Sequence, residues 1–138
     1  MTRPWHLPII SIVAVIWTAM LVADHMFTML GMPVYRNNLT PDQSGFLMAL
    51  PIWLKALWAF GAWSGLLGAI LMWIRQPVAP GWLGISFLCL LFTVVWLIFM
   101  GGALAVTGPA GVGMMLGAIG LSCLIYLYAR QMHAAGHL

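Results

Sequence analysis

The chain has 138 residues, 64% of them hydrophobic, with five Lys/Arg against two Asp/Glu and a formal charge of +3. A soluble domain carries roughly 25% charged residues, so this charge set cannot clothe a water-exposed surface, and lipid must cover most of the outside. The few, dispersed charges exclude a basic patch for nucleic acid or anionic lipid. At about 20 apolar residues per crossing, four crossings use up the chain and leave no separate soluble domain.

The first span is expected over about residues 8–30. Pro8 sits near its start, where a missing N–H is tolerated, and Gly31 and Pro33 end it. The run is too long for a signal-peptide core and no small-residue cleavage site follows, so it is expected to be retained. A polar connection, Tyr35-Arg36-Asn37-Asn38, comes next. Thr40-Pro41-Asp42-Gln43 then reads as a helix start, with Thr40 as N-cap, Pro41 at the first helical position and Gln43 closing a capping box. Asp42 suits the positive end of that helix dipole. The second helix is therefore expected to begin before the membrane, with a kink at Pro51 and a spanning part over about residues 50–74.

Arg75-Gln76-Pro77-Val78-Ala79-Pro80 predicts a tight, proline-bounded turn. The third span is expected over about 82–106, a short turn at Gly108-Pro109, and the fourth span over about 111–129. The fold class is thus all-α, a polytopic membrane four-helix bundle forming one transmembrane domain. Arg3, Arg75 and Arg130 fall on one side, and Arg36, offset by Asp42, on the other. The positive-inside rule places both termini in the cytoplasm.

Gly61-x-x-x-Gly65 in the second span and Gly113-x-x-x-Gly117 in the fourth offer small faces where helix backbones can approach closely. They suit packing within the chain, or a face for a second copy or a partner protein.

Asp24 and Lys55 stand out as the two formally charged residues expected inside the bilayer. On antiparallel neighbouring helices they come to nearly the same depth. An unpaired Asp or Lys at a helix centre costs roughly 2.5–3.5 kcal/mol on insertion scales, so an Asp24–Lys55 pair is expected, supported by Thr28 or His25. Thr18, Ser11 and His25, spaced by seven, complete a polar arc on the first helix. The pair suits either a lock on helix register or an ion or proton site open to the outer face.

Haem ligation by His25 lacks a second histidine at matching depth, because His6, His133 and His137 belong to the opposite surface. His133 and His137 lack a third metal ligand. Cys89 and Cys123 read as small apolar residues, with no disulfide framework or CxxC motif. No cofactor and no metal are expected. No nucleophile–base pair or phosphate loop is present, so no enzymatic activity is expected.

The runs Leu39-Thr40-Pro41-Asp42-Gln43, Leu50-Pro51-Ile52-Trp53 and Ala56 through Gly68, with Ile16-Trp17 and Asp24-His25-Met26-Phe27-Thr28, resemble a group of uncharacterised small proteobacterial membrane proteins. Some of that group are labelled sugar transporters. The resemblance implies four spans and a bacterial inner membrane. Lys55 stands where that group is expected to carry an apolar residue. The functional expectation is a non-enzymatic accessory or scaffold subunit packing against a larger membrane complex, one of electron transport among them, or a homo-oligomer. The alternative is a small oligomeric carrier of a solute or ion using the Asp24–Lys55 site.

Overall fold

The computed structural model describes residues 4–138. Arg3, used above for orientation, lies outside the described residues. Within them the chain is all-helical. The elements in order are α1 (His6–Leu30), α2 (Pro33–Arg36), α3 (Pro41–Met48), α4 (Ile52–Trp73), α5 (Ala79–Phe99) and α6 (Ala103–Ala134). α1, α4, α5 and α6 are long and apolar enough to cross a membrane. Their outer faces carry exposed Ile9, Ile16, Phe60, Leu88, Phe92 and Leu124. The protein is a small multi-pass membrane protein whose apolar helices meet the bilayer.

The element boundaries follow local chemistry. Gly31 ends α1 in the left-handed conformation, φ 60°, which glycine adopts without a Cβ clash. Pro33 does more than stop α1, because it opens the single turn of α2. Thr40, Pro41 and Gln43 form the expected capping box at the start of α3. Pro51 divides α3 from α4 outright, where the sequence predicts a kink within one helix. Its ring supplies no N–H to continue the ladder. The turn between α4 and α5 places Arg75 at φ 62°.

The third reversal departs from expectation. α5 stops at Phe99, and the chain turns at Met100–Gly102, with Gly102 at φ 71°. Gly108-Pro109 is a kink inside α6, with Gly108 at φ 73° and ψ 179°. Glycine occupies that region almost alone, so the pair bends the helix without reversing the chain.

α4 packs along both α1 and α5, and α5 packs along α6. The contact face of α4 is the small one. A Cβ on Gly65 would lie 2.6 Å from Ser86 Oγ, and one on Gly68 would lie 2.8 Å from Leu83 Cγ. Ser86 Oγ donates 2.6 Å to the Gly61 carbonyl across the interface. In lipid no hydrophobic force drives helices together, so close approach and such interhelical bonds hold them. The Gly61–Gly65 face is therefore consumed by packing within the chain. α1 contributes the buried stripe Leu7, Ser11, Ala14, Thr18, Val22, His25 and Thr28. The expected polar arc is thus the buried face of the helix.

At one end of the molecule His6 Nδ1 and the Tyr128 hydroxyl are hydrogen-bonded at 2.6 Å. Leu7, Ala69, Met72, Leu83, Ile125 and Ala129 cluster there. The start of α1 and the end of α6 therefore share one end, as four crossings require.

Candidate functional site

At the other end α6 does not close onto α1. A cavity of about 480 Å³ lies between α1, α3, α5 and α6. Ligand pockets typically run about 300–1,000 Å³. Two features hold it open. The Gly108 kink redirects α6, and the residues on either side of it, Thr107 and Gly111, line the cavity. A Cβ on Gly111 would sit 2.4 Å from Thr107 Cβ, so the bend is tight enough to require glycine there. On the opposite wall α3 supplies Gln43, Phe46 and Leu47. The interhelix connection is thus a folded lid element rather than a simple loop.

Asp24 and Tyr35 line one end of this cavity. Tyr35 donates a hydrogen bond of 2.5 Å to Asp24 Oδ1. Burial, reinforced by this bond, pushes the Tyr35 phenol above its ordinary range, so at neutral pH it remains a donor. Phe46 and Trp58 line the same space, and Leu90, Leu97, Met115 and Ile119 make its apolar body. Asp24 is the charged residue of the lining, and neither lysine nor arginine contributes to it.

The Asp24–Lys55 pair does not form. Lys55 Nζ donates 2.9 Å to the Met48 carbonyl, and Asp24 takes the Tyr35 hydroxyl. The reason lies in two short helices: α2, expected from sequence as a polar connection, and α3, expected as the first part of the second helix. α2 delivers Tyr35 to Asp24. The break at Pro51 leaves the last carbonyls of α3 without N–H partners, and a lysine satisfies one of them at the negative end of the helix dipole.

The expected support from Thr28 also takes another form. Thr28 Oγ1 donates 2.8 Å to the Asp24 backbone carbonyl, not to its carboxylate. Thr18 Oγ1 likewise donates 2.8 Å to the Ala14 carbonyl. Such back-bonding satisfies a hydroxyl within its own helix. His25 is buried, its ring edge-on to Trp58 at 5.0 Å between centroids, and its Nδ1 has no hydrogen-bond partner. It steadies a cavity-lining ring from behind, and the cavity lining itself does not include it.

Gly113 and Gly117 behave differently from Gly61 and Gly65. A Cβ on Gly113, Gly117 or Gly120 would meet nothing within 4 Å. Helical rotation puts these three on the side of α6 opposite the cavity-lining Gly111, Met115, Ala118 and Ser122.

Sequence reasoning found Asp24 but missed Tyr35, Phe46 and Trp58 as its companions. Pro33 at a helix-start position was the available signal that Tyr35 lies on a helical turn. Comparison with known proteins gives no match, whether to a family model, a curated protein or a solved structure.

Proposed function

We propose that this protein is a non-enzymatic accessory subunit of the bacterial inner membrane, docking through α6 onto a transmembrane helix of a larger complex. The observation that carries the reading is the uncovered glycine face Gly113, Gly117 and Gly120. In the most apolar 18-residue stretch of α6, 6% of residues are buried within the chain, against 39% in that of α4. A glycine face gains little from lipid, whereas a second helix can approach it closely. Arg75 and Arg130 at one end, against Arg36 at the other, support a reading with both termini in the cytoplasm by the positive-inside rule.

Gentle extraction from native membranes, followed by mass spectrometry, tests the docking. A membrane protein should co-purify with the wild type and be lost from a Gly113→Ile, Gly117→Ile double variant that still folds. A monodisperse monomer from native membranes sinks the reading, and a dimer of this chain replaces the foreign partner with a second copy.

A second reading, a small carrier, is favoured by the cavity. Asp24 would be its site without Lys55. Proteoliposome flux of a candidate solute by wild type and Asp24→Asn tests it. Equal flux through both removes it.

A further inference from the structure

The cavity joins a single carboxylate to three aromatic rings and a mainly apolar wall whose other polar side chains, Gln43, Thr93, Thr107 and Ser122, are uncharged. Asp24, Tyr35, Phe46 and Trp58 share its lining. Each element has its own consequence. The carboxylate is uncompensated, because no Lys or Arg lines the cavity and Lys55, its partner expected from sequence, is bonded to the end of α3. Tyr35 occupies Oδ1, and an ionised carboxylate has lone pairs to spare beyond one such bond. Aromatic faces attract cations, more strongly where water is excluded. The apolar body, including Leu97, Met115 and Ile119, suits hydrocarbon or aryl groups rather than a hydrated metal ion, and among the described residues no three His, Cys, Asp or Glu side chains gather as metal ligands.

From this juxtaposition we infer that the cavity binds a hydrophobic cation, an ammonium or phosphonium centre carried on apolar substituents, with its charge at Asp24 and its apolar groups against α5 and α6. Anions are repelled by the same carboxylate. A neutral molecule of the same shape gains the apolar contacts alone. The inference shares the cavity with the carrier reading, but it requires binding and not flux. Saturable binding without transport keeps it and removes the carrier.

The test uses the purified full chain in a neutral detergent and two ions of the same shape and opposite charge. Labelled tetraphenylphosphonium is measured by equilibrium dialysis with unlabelled competitor, and tetraphenylborate serves as the anionic counterpart. Saturable phosphonium binding is expected, with tetraphenylborate at least tenfold weaker. Asp24→Asn should weaken the phosphonium at least tenfold, Asp24→Glu by less than threefold, and Trp58→Leu by about threefold to tenfold. Arg75→Gln, at the far end of the molecule, should change nothing. Equal binding of the two ions, or no saturable binding, overturns the inference. So does full binding by a folded Asp24→Asn variant. If that variant fails to fold, the comparison of the two ions on wild type and Asp24→Glu still decides. Displacement of the phosphonium by phosphatidylethanolamine at equal potency would identify a zwitterionic lipid headgroup and overturn the class proposed.

Discussion

Tyr35 donates its hydroxyl to Asp24 across the junction between α2 and α1, at 2.5 Å. The bond places a carboxylate from a spanning helix under a phenol from a surface turn, and it fixes the polar end of the cavity. Without it the carboxylate would lose the side-chain donor bonded to it in a mainly apolar lining. Lys55 is thereby released to bind the Met48 carbonyl at the end of α3. Two separate local arrangements therefore stand where one ion pair is expected from sequence.

Additivity distinguishes these arrangements from an ion pair. Lys55→Met is expected to lower stability by about 0.5–1 kcal/mol, the value of a cation at a helix C-terminus. Combined with Asp24→Asn, the two effects should add within about 0.5 kcal/mol, as independent sites do. Reversible unfolding in mixed micelles measures this cycle. A coupling energy above 1 kcal/mol, on the order expected for charges in contact, would show that the two side chains interact after all.

The raised Tyr35 pKa gives a pH dependence with a definite sign. Its folded value lies above the ordinary phenol value of about 10, through burial first and the Asp24 bond second. The folded state thus holds the proton more tightly than the unfolded state. The associated stability is fully present below the unfolded pKa and is lost as pH rises through the folded one. Tyr35→Phe should cost about 1–2 kcal/mol at neutral pH by loss of the bond. The wild-type advantage over Tyr35→Phe should shrink as pH climbs above about 10. Melting temperatures of both proteins across this range check it, and an advantage that grows with pH refutes it.

The glycine faces of α4 and α6 should respond oppositely. Gly65→Ala is expected to destabilise by about 1–3 kcal/mol, as overpacking does, because its Cβ would meet Ser86 Oγ at 2.6 Å. Adding Ser86→Ala should recover part of this, since the remaining contacts are Ser86 Cβ at 3.4 Å and Thr18 Cγ2 at 3.5 Å. The recovery is incomplete because the Gly61 carbonyl loses its interhelical donor. Gly117→Ala should be neutral, or stabilise by up to about 1 kcal/mol through helix propensity. Thermal unfolding of the wild type and these three variants in detergent is sufficient. Equal losses at Gly65 and Gly117 would mean that α6 is covered within the chain.

The kink in α6 should govern the cavity. Gly108→Ala forces a Cβ into φ 73°, ψ 179°, at a cost of about 1–3 kcal/mol for such a strained backbone. If α6 relaxes by straightening, Thr107 and Gly111 shift and the cavity changes with them. Phosphonium binding should then fall by more than Asp24→Glu lowers it, while helix content by circular dichroism stays level. Unchanged binding would show that the bend does not shape the site.

The sequence by itself determined the architecture, because crossing a bilayer imposes constraints that are local and additive. Each span needs enough consecutive apolar residues and internally satisfied backbone. Gly31, the Thr40-Pro41-Gln43 box and the proline turn after Arg75 mark ends through their own dihedrals and donors. Only the tertiary structure decided which residues meet. Depth along neighbouring helices brought Asp24 and Lys55 together on paper, but depth does not specify partners when a folded connection intervenes. α2 and α3 are four and eight residues long, too short to announce themselves by periodicity, yet they supply Tyr35 to the carboxylate and the Met48 carbonyl to the lysine. Equally, Gly61-x-x-x-Gly65 and Gly113-x-x-x-Gly117 are the same pattern in one dimension. Which of them is filled by a neighbour depends on the orientation of each helix about its own axis, and packing in three dimensions sets that orientation.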